Sequence, residues 1–285
     1  MTKQIVSTRR KHSIDILCID TEECYAEISL FGGQLISFVS KADQRERIWM
    51  SEQAFWDKSR ALRGGVPICW PWFANNYPSK LSHQQAAHGV LRTCDWQLQE
   101  WQHTTQGLQV ILRPIQANIP SACHGLEITA SFLFHHSCSI SLSTTNHANV
   151  ELSFGAALHS YFKVPNVQQL SVEGLANSFF DKVDGQFKQG ERTLHIDAET
   201  DRVYKCNESS SFVELIDTQG TNYKQSISCL GAPDLVVWNP WQAKSKTRID
   251  RPNEAHLDML CVEAAIAEPI SLPAGQSHTL SQTFD

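Results

Sequence analysis

The chain has 285 residues, 41% hydrophobic and 19% charged, enough apolar material for a buried core and too much for an intrinsically disordered chain. Its 24 Lys and Arg stand against 30 Asp and Glu, a formal net charge of −6, so no overall positive field would draw nucleic acid or an anionic membrane. An anionic small molecule would have to be held by a few local basic side chains.

At the amino end the basic residues Arg9, Arg10 and Lys11 are not followed by an apolar run of signal-peptide length. No window approaches the ~18 uninterrupted apolar residues of a membrane helix. The expectation is a cytoplasmic protein that does not engage membrane. Nine cysteines, an odd number without a C-x-x-C pair, fit reduced thiols rather than a disulfide framework or a zinc ribbon. Cys18, Cys138 and Cys261 fall in strand-like runs, where a free thiol packs as a small hydrophobe.

Period-two alternation predicts half-buried strands at residues 14–16, 108–112, 128–132, 140–143, 212–216 and 278–284, and residues 152–158 form an apolar strand. Between them Gly32-Gly33, Val183-Asp184-Gly185, Gln219-Gly220 and Pro273-Ala274-Gly275 mark turns. Residues 51–62, with Phe55, Trp56 and Leu62, predict one or two helical turns, and residues 252–257 another. Residues 242–253 read as a polar surface loop whose Lys244, Lys246, Arg248 and Arg251 form a solvated face. Many antiparallel strands with few short helices predict an all-β fold, a large β-sandwich. No linker, repeat or composition shift divides the chain, so residues 1–285 are expected to form one domain.

Four windows break the strand pattern by crowding Gly, Pro, Trp, Arg and His together. The first runs Arg63-Gly64-Gly65-Val66-Pro67-Ile68-Cys69-Trp70-Pro71-Trp72-Phe73. Its tryptophans fill a core or offer flat faces for stacking on a sugar ring. The second, His88-Gly89-Val90-Leu91-Arg92, sets an imidazole four residues from a guanidinium. The glycines beside Arg63 and Arg92 are expected to let an anion approach main chain and guanidinium together. The third, Leu158-His159-Ser160-Tyr161-Phe162, places a histidine at the end of an apolar strand. The fourth, Leu260-Cys261-Val262-Glu263-Ala264-Ala265, interrupts a strand of small apolar residues with a carboxylate, which is costly unless a partner or a task holds it. His159 and Glu263 form a candidate acid and base pair if their two strands line one concave sheet.

In this order RGGVPICWPWF, HGVLRTCDW, HSYF, TDRVY, VVWNPW and CVEAA resemble the glucose-6-phosphate 1-epimerases of bacteria and fungi, a branch of the aldose 1-epimerase or galactose-mutarotase-like superfamily. The resemblance runs from about Phe31 to the carboxyl end. It implies a supersandwich of antiparallel strands with an open sugar cleft, no cofactor and no metal. It also implies catalysis by His159 and Glu263, phosphate binding by Arg63 and Arg92, and sugar contacts from His88 and Asp201. Ala87, Val90 and Leu91 depart from the family's usual residues and leave the fine substrate preference open. The implied activity is interconversion of the α and β anomers of glucose 6-phosphate, with a sugar phosphate as the sole partner and a monomeric protein.

Three alternatives stand beside it. A mutarotase for unphosphorylated aldoses would leave Arg63 and Arg92 structural. A non-enzymatic carbohydrate-binding sandwich would use Trp70, Trp72, Trp238 and Trp241 as platforms, of which the first and last pairs are expected to wall the cleft. A metal enzyme built on the 12 histidines lacks H-E-x-x-H or other close ligand spacing, and the adjacent His135 and His136 would face opposite sides of a strand.

Overall fold

The computed structural model describes residues 5–76, 86–115, 119–247 and 249–285; Arg248 of the polar loop lies outside them. Its first strands are β1 (Val6–Lys11), β2 (Ile14–Asp20), β3 (Cys24–Ser29), β4 (Gln34–Ser40), β5 (Ile68–Cys69), β6 (Asp95–Thr104), β7 (Gly107–Ile115), β8 (Leu126–Phe134), β9 (Cys138–Asn146), β10 (Leu152–Leu158) and β11 (Tyr161–Lys163). There follow β12 (Leu170–Glu173), β13 (Ser178–Asp181), β14 (Gln186–Gln189), β15 (Thr193–His195), β16 (Thr200–Lys205), β17 (Ser210–Asp217), β18 (Lys224–Leu230) and β19 (Asp234–Asn239). Helix α1 (Trp241–Lys246), β20 (Met259–Leu272) and β21 (Ser277–Phe284) complete the order.

These strands build an all-β fold of three antiparallel sheets. β1 to β4 form a meander, a long sheet runs β15-β12-β17-β18-β21-β9-β8-β7-β6, and a third runs β14-β13-β16-β19-β20-β10-β5, with β11 also paired to β20. The alternation legible in the sequence sets the long sheet's buried face. In β8 and β9 every second residue is buried, Ile128, Ala130 and Phe132 on one and Ile140 and Leu142 on the other. All three sheets contribute to one core, in which Phe38 from the meander meets Phe284 edge-on at 5.8 Å and Phe162 meets the same ring at 5.2 Å.

β20 behaves differently, because its residues 259–267 are all buried. Leu260, Val262, Ala264 and Ile266 enter the shared core, whereas Met259, Cys261, Ala265 and Ala267 pack in two small clusters on the opposite face. A strand covered on both sides loses its polar alternation and reads as an apolar run. Glu263 sits in the middle of that second face.

Residues 51–62 do not form the expected helix. Lys58 has φ 64°, outside helical space, and the aromatic side chains cover separate cations instead of one stripe, Trp56 under Lys11 and Phe55 under Arg60. Residues 252–257 make consecutive turns, with Ala255 N donating to Pro252 O and Leu257 N to Glu254 O, rather than a helix. The α-helix lies at Trp241–Lys246, overlapping the segment read as loop. His135 and His136 occupy the turn between β8 and β9, their rings meeting edge-on at 4.3 Å rather than pointing to opposite sides of a strand. All nine cysteines are free thiols. Among the described residues no helix is long and apolar enough to cross a membrane.

Candidate active site

Strand register brings the two suspected reacting groups together. β10 sets Leu158 opposite Ala264, and β11 sets Tyr161 opposite Cys261. The same register carried through the two intervening residues places His159 across from Glu263. On the other flank β19 sets Val236 opposite Glu263 and Trp238 opposite Cys261, and β16 sets Asp201 opposite Trp238. Because side chains alternate along a strand, His159, Tyr161, Glu263, Trp238 and Asp201 share one face. The gap between β10 and β11 is pinned by His159 N donating to Pro67 O at 3.0 Å and Val262 N donating to Ser160 O at 3.2 Å, with a buried Ser160–Gln282 hydrogen bond on the core side.

This face floors a cavity of about 350 Å³. His159 Nδ1 lies 3.3 Å from Glu263 Oε1, with the two side chains 12% and 2% exposed. The contact is out of line for a hydrogen bond, and both His159 Nδ1 and Glu263 Oε2 are buried without a hydrogen-bond partner. Burial holds the Glu263 carboxyl well above the usual range; Asp201 pushes the same way and Lys182 opposes. Burial holds His159 well below the usual imidazole value, with His88, Arg92 and Arg63 adding repulsion. The cavity thus disfavours charge on either group. The imidazole is oriented by Tyr161, stacked at 4.9 Å and 7° with Trp49 behind it at 5.9 Å, and by the edge of Trp238 at 5.9 Å.

His88 stands 5.5 Å from His159, ring to ring. Its Nδ1 accepts from Ala74 N at 3.4 Å, which assigns the proton to Nε2, and burial, with Arg92, Lys182 and Arg63, pushes its pKa down to about 3. It is a neutral donor at the cavity. Asp201 is raised by burial and lies 3.8 Å from Lys182. Arg63 also lines the cavity, but its Nε and Nη2 both donate to Asp250 Oδ2, at 3.2 and 3.1 Å, and its Nη1 donates to the Tyr161 hydroxyl at 3.1 Å. Arg92, on a 3-10 turn at Leu91–Thr93, donates from Nη2 to Ala87 O at 2.7 Å and is not in the cavity wall.

Three sequence readings change. A Cβ at Gly64 would lie 2.5 Å from Trp49 O and one at Gly89 2.0 Å from Trp70 O, so these glycines serve close packing of the chain on itself, not an approaching anion. Trp70 and Trp72 are fully buried, the first donating to Thr144 Oγ1 and the second to Ala86 O; of the four tryptophans expected to wall the cleft only Trp238 does so, Trp241 packing on the main core. Lys244 and Arg251 line the cavity, and Arg251 is only 3% exposed rather than solvated. Lys182 also lines it; nothing in its sequence neighbourhood marked it, whereas Tyr161, two residues beyond His159 on the same strand face, was findable from the period-two rule.

Donor atoms of His159, Cys261 and Glu263 lie within 4.8 Å of one another, the metal-type grouping among the described residues. A metal needs deprotonated ligands, whereas burial pushes both the Cys261 thiol and the Glu263 carboxyl up, away from those forms. The donor set suits proton exchange better than coordination.

The sequence pattern of the aldose 1-epimerase family matches residues 15–285, and the chain belongs to that family. Proteins of Escherichia coli K12 and Salmonella typhimurium, each named "Putative glucose-6-phosphate 1-epimerase", are both 30% identical over 268 residues, spanning 92% of this chain and 87% of theirs. The crystal structure of a "putative mutarotase" from Salmonella typhimurium matches with a TM-score of 0.86 at 28% identity, covering 100% of this chain and 94% of that one.

Proposed function

We propose that this aldose 1-epimerase family member interconverts the α and β anomers of a hexose 6-phosphate, with glucose 6-phosphate as the expected substrate. The observation that carries the reading is the facing pair His159 and Glu263, buried at the cavity floor with a nitrogen and an oxygen left without protein partners. Anomerisation needs two proton transfers. Glu263 as carboxylate takes the proton of the C1 hydroxyl while protonated His159 gives its proton to the ring oxygen. The C1–O5 bond breaks, leaving an aldehyde at C1 and a hydroxyl at C5. Rotation about C1–C2 presents the other face of the carbonyl, and on closure Glu263 returns its proton to the carbonyl oxygen as His159 takes one from the C5 hydroxyl.

The pair ends with the single proton it began with, so no outside acid or base is consumed. Burial favours its uncharged form, carboxyl beside neutral imidazole, which is the form matched to the open aldehyde. The charged form is drawn out when the C1 hydroxyl donates to Glu263 and the ring oxygen accepts from His159. Neutral His88 and the Asp201 carboxyl line the same cavity and would meet other sugar hydroxyls. Arg63, Lys182, Lys244 and Arg251 surround the cavity, and at contact distance such local cations outweigh a weak overall charge of −6. Binding energy from the non-reacting phosphate would then orient C1 over the pair. The names of the Escherichia coli and Salmonella relatives point to the same substrate.

The test starts from one pure anomer of glucose 6-phosphate and follows its approach to equilibrium. Glu263→Gln and His159→Ala should each lose about two decades of turnover or more while remaining folded. Full activity in either variant overturns the assignment. A mutarotase for unphosphorylated aldoses is the second reading, favoured by the engagement of Arg63 with Asp250 and Tyr161.

A further inference from the structure

The cavity's cations differ in what already holds them. Arg63 spends two nitrogens on Asp250 and the third on Tyr161. Lys244 is paired with Glu199 at 2.5 Å, and Lys182 has Asp201 at 3.8 Å. Arg92, whose Nε is also without a partner, does not line the cavity. Arg251 is the exception. It is 3% exposed, it lines the cavity, and its Nε and Nη1 have no hydrogen-bond partner; among the described residues its one hydrogen bond runs from Nη2 to the main-chain oxygen of Lys244 at 3.2 Å.

A guanidinium taken out of water with two of its three nitrogens unanswered is costly unless a ligand supplies the missing acceptor and charge. Among the described residues no carboxylate stands within ion-pair distance of Arg251, and the one engaged oxygen of its neighbour Asp250 is taken by Arg63. Arg251 lies over the Trp238 indole at 5.6 Å, and the same indole meets His159 edge-on at 5.9 Å. The Trp238 indole therefore touches both this guanidinium and the imidazole of the acid and base pair, and in a pyranose 6-phosphate the phosphate arm, carried on C5, is separated from the reacting C1 by the ring oxygen alone.

We propose that Arg251 is the anion seat of this cavity, the residue that receives the substrate's phosphate directly, while Arg63 positions Tyr161 and, through the stack, His159. This rests on the hexose 6-phosphate reading above and sharpens its specificity. A phosphate oxygen accepting from Nε or Nη1 would complete the guanidinium's hydrogen bonds and neutralise it.

The experiment uses the full chain and two readouts, KM for glucose 6-phosphate against KM for free glucose, and inhibition of free-glucose mutarotation by inorganic phosphate. Arg251→Met, checked for folding by thermal melting, should raise KM for the phosphorylated sugar at least about tenfold more than KM for glucose, the size expected when a charge-assisted hydrogen bond is lost. It should weaken phosphate inhibition by a similar factor, and Arg251→Lys should restore part of both. Arg63→Ala should instead lower kcat for the two sugars alike. If phosphate inhibits folded Arg251→Met as well as it inhibits the parent, or if the two KM values rise together, Arg251 is not the seat. Should the parent protein turn over glucose 6-phosphate no better than glucose, the substrate reading fails on its own, and the phosphate-inhibition arm still decides Arg251.

Discussion

The two faces of β20 are made by alternate residues of one strand and do opposite work. On the core side Leu260, Val262, Ala264 and Ile266 are apolar, fully buried and packed against the long sheet, and the polar Ser160 and Gln282 beside them hydrogen-bond to each other. On the cavity side the same strand carries Glu263, as deeply buried, with a carboxylate oxygen left unanswered and facing a histidine in the same condition. The core face is finished without a ligand; the cavity face is not. Burial stabilises the first and is spent, on the second, in pushing two titratable groups away from charge.

Breaking the cavity face should produce the largest functional change with little loss of fold. Glu263→Gln removes the base and is expected to lower turnover by roughly 10²- to 10⁴-fold. Its stability should move the other way. Since the folded carboxyl sits above its ordinary 4.5, its contribution to stability is full below about that pH and is lost as pH rises toward the folded value. The Gln variant does not titrate, so its melting temperature should gain on the parent as pH increases from 4.5 to 8; a gap independent of pH would contradict the buried carboxyl.

Breaking the core face should do the reverse. Ile266→Ala is expected to cost about 2–5 kcal/mol in denaturant unfolding while activity per folded molecule is kept. Selective loss of kcat in that variant would erase the distinction between the faces. A smaller effect is pH-dependent. His88 is held near 3, below its ordinary 6.5, so the stability it contributes is full above 6.5 and is lost as pH falls toward 3. His88→Asn, which tolerates the local φ of 66°, should flatten that acid limb in melts taken at pH 7.5 and 5. The smallest change is Tyr161→Phe, which removes the acceptor of one Arg63 hydrogen bond and should cost about 0.5–1.5 kcal/mol of stability.

His159 and Glu263 were legible because each breaks its own strand: a carboxylate in an apolar run and an imidazole at an apolar strand's end both ask for a reason. Their juxtaposition was not, since it depends on β10 and β11 pairing with β20 about a hundred residues away, which no local pattern encodes. The strands of the long sheet were readable because one face is wet and the other dry, so alternation survives in β8 and β9. Helix α1 was missed because six residues are too few for a 3.6-residue period to show. Glycine beside arginine suggested an anion loop, yet Gly64 and Gly89 answer to the main chain of Trp49 and Trp70. Arg251 was read as solvated because charge in a polar stretch usually is; only burial without a partner distinguishes it.

In the proposed mechanism the buried His159 and Glu263 pair opens and closes the ring of a phosphorylated hexose. Anomer-exchange NMR on glucose 6-phosphate, compared at equal concentration with free glucose and galactose, tests it most directly. Exchange should be accelerated most strongly for the 6-phosphate and lost in Glu263→Gln. Equal acceleration of all three sugars would contradict the substrate, and exchange undiminished in Glu263→Gln would contradict the mechanism.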